Sequence, residues 1–247
     1  MKKIVVLVFL SILLMTNIAY AEPIKFLNLE WGATFYDFLN ALLSNGMDGQ
    51  TPCDYKTEDC FSLASYETHN QTAYGDTYTE LYTMTVTLYN QGNEVWEIGG
   101  QSVYKITGTF VPGTVVKDDG MTYYPGDYRY ARLVRVELEL GKREAHSFGS
   151  TYVGFDMLND VFNDMKAKLR AVYGENYVLD YSASGKTELL TWSQDNGWVE
   201  LERIDGKVSS NGITVQGVHT NLTYGFNDVS FISNIWKDYH KDDLKGL

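Results

Sequence analysis

Cysteine, proline and basic residues are scarce in this chain. Its 247 residues hold 2 Cys, 4 Pro and 20 Lys plus Arg, against 32 Asp plus Glu. Two Cys cannot staple a small disulfide scaffold, which excludes that class. The formal net charge of −12 argues against nucleic-acid binding, because recognition of a phosphate backbone rests on Lys and Arg. The same balance disfavours docking on anionic lipid. The four histidines, His69, His146, His219 and His240, are scattered, so no metal-ligand spacing arises. No G-x-S-x-G elbow and no H-E-x-x-H pair occurs. Gly185-Lys186-Thr187 has the look of the end of a phosphate-binding loop, but Asp180 stands where that loop needs its first Gly, so a turn is the reading. Asp118-Asp119-Gly120 and Asp195-Asn196-Gly197 lack calcium-loop ligand spacing and also read as turns. No cofactor and no metal is implied.

What is present begins with a leader. Met1-Lys2-Lys3 is followed by the apolar run IVVLVFLSILLM (4–15) and then Ala19-Tyr20-Ala21. A basic start, a short apolar stretch and an A-x-A site describe a secretory signal peptide over residues 1–21. The run is shorter than the ~20 residues a membrane span needs. Cleavage after Ala21 would remove Lys2 and Lys3 and take the charge from −12 to −14. No Cys follows the site for lipid attachment, and no later stretch is apolar enough to span a bilayer. The expected product is a soluble periplasmic or extracellular protein with no membrane insertion after cleavage. In that compartment Cys53 and Cys60, in the polar stretch TPCDYKTEDCF, are expected to form a structural disulfide.

Hydropathy patterning then predicts two helices between β-rich stretches. Ile24 to Trp31 reads as a short strand or extended arm. Phe35, Phe38, Leu39, Leu42 and Leu43 share one helical face, with Thr34 as cap and Asp37 in capping-box position. Period-two alternation runs from Thr77 to Leu140 and predicts four antiparallel strands. Val111 to Asp127 reads as a long loop with room for a short strand at its centre. Leu158, Val161, Phe162, Met165, Leu169, Val172 and Tyr173 form a second helical stripe, ended by Gly174. Three further β-rich segments follow, 177–184, 188–204 and 213–226, and within the second Asp195-Asn196-Gly197 stands between two Trp-bearing runs, a good hairpin signal. The fold class expected is α+β: two amphipathic helices packed on antiparallel β-sheets in the order helix, strands, helix, strands. Residues 22–145 and 146–247 each open near a helix. No Pro- or Ser-rich linker divides them, so one compact unit over 22–247 stands beside a two-part division.

The segment LEWGATFYDFLNAL (29–42) resembles the start of small exported bacterial proteins of unknown function, in which a Trp-Gly pair precedes a capped helix. VWEIGGQSVYKITGTF (95–110), ARLVRVELEL (131–140), KLRAVYGENY (168–177) and the final Gly246-Leu247 keep the same style. The resemblance implies structural roles for Trp31 and Gly32, and no chemistry. The opening is also loosely similar to helix-plus-sheet modules of envelope assembly lipoproteins and of protein inhibitors of β-lactamase, apart from the missing lipidation Cys.

Tyrosine is the abundant residue, with 19 copies. Tyr74, Tyr78, Tyr82 and Tyr89 form one cluster, and Tyr123, Tyr124, Tyr128 and Tyr130 another. Exposed Tyr supplies flat area with a hydroxyl handle, suited to protein or sugar partners; Tyr is also a good strand former on half-buried sheets. The second cluster and the adjoining loop from Val111 to Asp127 make the candidate binding surface. Glu137 and Glu139 share a strand face with Arg135, and a solvated face is expected there. The function read from these features is a non-enzymatic exported interaction protein that binds a protein or glycan. The alternatives are a carboxylate-based glycan hydrolase and an inhibitor-like protein that presents a loop to an enzyme.

Overall fold

A computed structural model describes residues 23–47, 62–72, 75–90, 96–111, 115–118, 122–125, 131–141, 143–145, 151–153, 160–210 and 213–226. The signal segment, Cys53, Cys60, Tyr74, Tyr128, Tyr130 and the chain end at Gly246-Leu247 lie outside these residues.

The first helix forms as its sequence requires. Helix α1, Phe35–Ser44, opens on a complete capping box between Thr34 and Asp37 and closes at Asn45, whose N–H donates to the Leu42 carbonyl while the Gly46 N–H donates to that of Leu43. Phe35, Phe38 and Leu42 are its buried side. Helix α2, Asp160–Tyr173, buries Phe162, Met165 and Leu169 and stops at Gly174, whose φ of 87° suits a residue without Cβ. Val172, placed on the apolar stripe by its spacing, is instead 52% exposed.

The strands are β1 (Ser62–Thr72), β2 (Gly75–Tyr89), β3 (Glu97–Ile98), β4 (Gln101–Val111), β5 (Val115–Asp118), β6 (Thr122–Pro125), β7 (Arg132–Leu140), β8 (Arg143–Ala145), β9 (Thr151–Val153), β10 (Val178–Tyr181), β11 (Thr187–Gln194), β12 (Gly197–Ser210) and β13 (Ile213–Gly225). Eight of them form one antiparallel path, β1-β2-β4-β7-β13-β12-β11-β10, with β3 appended to β4. β5–β6 and β8–β9 are separate hairpins.

This corrects the expected fold class. Among the described residues the protein is mainly an antiparallel β-sheet with two short helices of 10 and 14 residues, not two helices each leading its own run of strands. Two physical causes separate the reading from the fold. β1 is a full strand in which Leu63, Ala64 and Tyr66 stand before an all-polar run from Glu67 to Thr72, so it carries no sustained apolar alternation to read. And β13 pairs with β7 across the middle of the sheet, so the strand runs before and after α2 merge instead of stacking as successive layers. The segment from Val111 to Asp127, expected as a loop, contains the β5–β6 hairpin.

Alternation gives the sheet an apolar inner face. Met84, Val86 and Leu88 of β2, Ile106 and Phe110 of β4, Val136 and Leu138 of β7, Leu222 and Tyr224 of β13, Val199 and Leu201 of β12, and Leu190 and Trp192 of β11 join one buried cluster with both helices. Phe35 and Phe38 meet Phe110 edge-on at 5.5 and 5.4 Å. Gly108 leaves room for this: a Cβ there would fall 3.1 Å from Phe38. At the other side, the Trp192 indole donates to the Gly174 carbonyl at 2.9 Å, so the end of α2 is tied to β11. Both helices therefore cover the same face; on the opposite face most side chains are half-buried and Thr223 is buried.

Ile24 to Trp31 is not a strand. Leu27 and Asn28 both have positive φ, 48° and 64°, in a tight turn closed by Leu29 N–H to the Phe26 carbonyl at 2.8 Å. Leucine in this region is strained, and its packing against the core offsets that. Asn196, in the turn between β11 and β12, donates to the Ile24 carbonyl at 2.9 Å and accepts from the Ile24 N–H at 3.2 Å. The Trp31 indole also donates to that carbonyl, at 3.1 Å.

Candidate functional site

The outer face of the sheet is built by the alternate residues of the same strands, and register sets them in rows. One row crosses seven strands: Thr87, Thr107, Glu137, Thr223, Glu200, Thr191 and Val178. The next runs Tyr89, Lys105, Glu139, Asn221, Glu202, Leu189 and Asp180. A third sets Arg135, Gly225, Trp198 and Ser193 side by side. Hydroxyls and carboxylates thus alternate across the middle of this face.

Most of these groups hold one another. Lys105 Nζ lies 2.8 Å from Glu139, and Arg135 3.2 Å from Glu137. Asn221 donates to Glu202 at 2.9 Å, and the Thr87 and Thr107 hydroxyls meet at 3.2 Å. His219 Nδ1 is 3.9 Å from Glu139. Burial works against the Lys105 charge, but the Glu139 carboxylate outweighs it and the net shift is upward. Glu200 differs. Burial pushes its carboxyl above the usual Glu value; Glu202 and Glu137 add to the rise, while Arg135 and the Thr191 hydroxyl oppose it.

Aromatic rings border the rows on two sides. Tyr89 stands against Tyr104 with ring centroids 5.8 Å apart. Trp198 lies across Gly225, where any Cβ would fall inside its indole ring, and Arg135 sits over that ring at 5.8 Å from its centroid.

Two shallow depressions lie elsewhere. One, of about 490 Å³, is lined by residues 28–33 with Asp37, Asn40 and Arg132. The other, of about 430 Å³, is lined by Pro23 and the 194–196 turn. In the first, hydrogen bonds from the Thr34 hydroxyl and N–H, together with the Arg132 charge, hold the Asp37 carboxyl below its usual range. These groups are committed to capping α1.

The sequence-based candidates fare unevenly. Tyr123 and Tyr124 lie on β6, opposite Lys117 and Val116 of β5, and Tyr78 and Tyr82 lie on β2. Tyr128 and Tyr130 lie outside the described residues, as do Cys53 and Cys60. Glu137 and Glu139 do share a face, joined there by Glu200 and Glu202 through register. The Thr and Glu alternation in β2, β7 and β12 was the available signal for that face. Which strands lie side by side was not. Among the described residues, no group of three or more His, Cys, Asp or Glu is placed to hold a metal ion. No helix there is long and apolar enough to cross a membrane. Compared with protein-family models, curated proteins and solved structures, the chain matches none.

Proposed function

We propose that this is an exported, non-enzymatic interaction protein that binds a glycan or another protein through the outer face of its sheet. The observation that supports this is the pair of rows of threonine hydroxyls and glutamate carboxylates, bordered by Tyr89 and Trp198. Rows of acceptors and donors beside aromatic rings suit the ring faces and hydroxyls of a sugar, or a polar protein surface. The excess of carboxylate over cation there favours partners that are neutral or basic. The leader expected from residues 1–21 supports export to the periplasm or the medium, and the acidity of the chain disfavours nucleic acid as a partner.

The mature chain should be captured with its partner from envelope extracts or culture medium. Thr107→Arg together with Glu137→Arg, in the middle of the rows, should lower capture at least about tenfold while circular dichroism stays unchanged. Undiminished capture by that double variant would place the binding surface elsewhere.

A carboxylate-based glycan hydrolase is the second reading, and Glu200 is the observation that favours it. A carboxyl whose pKa burial raises, near other carboxylates, is the raw material of a general acid. Release of reducing sugar ends from cell-wall glycan by the purified chain, lost in Glu200→Gln, would overturn the binding reading in favour of this one.

A further inference from the structure

The end of the sheet at β10 is unlike the rest of the surface. Six large hydrophobic residues are exposed among the described residues, and four of them, Val172, Val178, Leu179 and Tyr181, fall within ten residues of chain. Three form β10 itself, at 69%, 43% and 58% exposure, and all four residues of that strand are exposed. Among the described residues β10 pairs only with β11 and ends the path.

The hydrogen-bond register shows what this edge offers. Ser182 N–H donates to the Thr187 carbonyl at 3.0 Å, so Asp180 and Val178 are the next residues whose backbone faces β11. Leu179 and Tyr181 therefore turn their N–H and C=O groups outward. One of these four is occupied: the Tyr181 N–H donates to the Asp180 carboxylate at 2.8 Å. The rest form a short template for one more strand. An edge guarded against pairing carries charge in place of apolar side chains; this edge carries Val, Leu and Tyr with a single Asp between them.

We propose that β10 is a docking edge for an extended basic segment of another polypeptide, which adds antiparallel or parallel as a ninth strand of the path. Its apolar residues would cover Leu179 and Tyr181, and its Lys or Arg would meet Asp180. The charge of the chain selects the partner: a second copy would bring another −12, or −14 after cleavage, to the same edge, whereas a basic segment is attracted. This surface is distinct from the outer face proposed above, and each fails or stands alone.

The test uses the mature protein with the synthetic peptide Ac-Val-Lys-Val-Lys-Val-Lys-Val-NH2 as probe, read by titration calorimetry. Leu179→Pro removes an outward donor without touching the β11 pairing, and should weaken binding about fivefold, the worth of one hydrogen bond. Asp180→Ala frees the Tyr181 N–H but removes the acidic group; in 0.5 M salt, where charge is screened, it should bind the probe more tightly than the unaltered protein. A probe with Glu in place of Lys should bind at least about tenfold more weakly at low salt. Buried Trp192 fluorescence checks that each variant is folded. Equal binding by Leu179→Pro and the parent, or equal binding of a probe N-methylated at alternate residues, would overturn strand addition. Concentration-dependent dimers in sedimentation, abolished by Leu179→Pro, would overturn the basic partner in favour of a second copy.

Discussion

Single side chains hold parts of this protein that no element holds by itself. Asn196 satisfies both backbone groups of Ile24, which is fully buried. Asn196→Ala strands a part-buried N–H and should cost about 1–3 kcal/mol in a denaturant titration. At Gly225 the reason is space: a Cβ would enter the Trp198 ring. Gly225→Ala should cost about 1–3 kcal/mol, read as a lower thermal midpoint, and Trp198→Leu in the same chain should recover part of it. Glu200 gives a pH signature. Its folded-state pKa is raised by burial, so the unfolded chain releases that proton first, and stability falls as pH rises through the interval between the two values. Glu200→Gln should therefore raise the melting midpoint at pH 7. The gain should vanish well below the usual Glu pKa, where both forms are neutral.

At the scale of elements, α1 and the β11–β12 hairpin show local chemistry at work. Thr34 accepts the Asp37 N–H at 3.1 Å, and Asp37 accepts the Thr34 N–H at 3.0 Å. Thr34→Ala should cost about 1 kcal/mol. The Thr34 hydroxyl and N–H both donate to the Asp37 carboxylate and lower its pKa, so their contribution is present above the unfolded value and is lost as pH falls through the folded one; the stability gap between Thr34→Ala and the parent should narrow in acid, leaving the part due to the Asp37 N–H bond. The hairpin closes on the two residues Asp195 and Asn196, with Gln194 opposite Gly197, as the Asp-Asn-Gly signal suggested. Leu27-Asn28 shows the opposite case. Alternation suggested an extended arm, but burial of Phe26 and Leu29 on the same core folds the segment back on itself.

At the scale of the whole molecule, the central pairing decides the cooperativity. β7 lies between β4, which precedes it, and β13, which arrives some 70 residues later in the chain. Strands from both sides of α2 thus share one hydrogen-bonded path and one buried cluster. Unfolding followed by far-ultraviolet circular dichroism and by tryptophan fluorescence should give one coincident transition. Two separated transitions would show that residues 22–145 and 146–247 fold apart.

Local patterning was enough to read both helices, the cap at Thr34, the inner faces of β2 and β7 and the hairpin at Asp195-Asn196, because each depends on residues within a turn or two of one another. The acidic, Tyr-rich character was likewise there in the composition. Tertiary structure alone decided that strands from both sides of α2 join one sheet, that Glu137 and Glu200 flank Thr223, that Asn196 clasps Ile24 and that β10 is left as an edge. Those relations are made by backbone hydrogen bonds between distant segments, and the alternation that marks a strand is blind to which neighbour it will find.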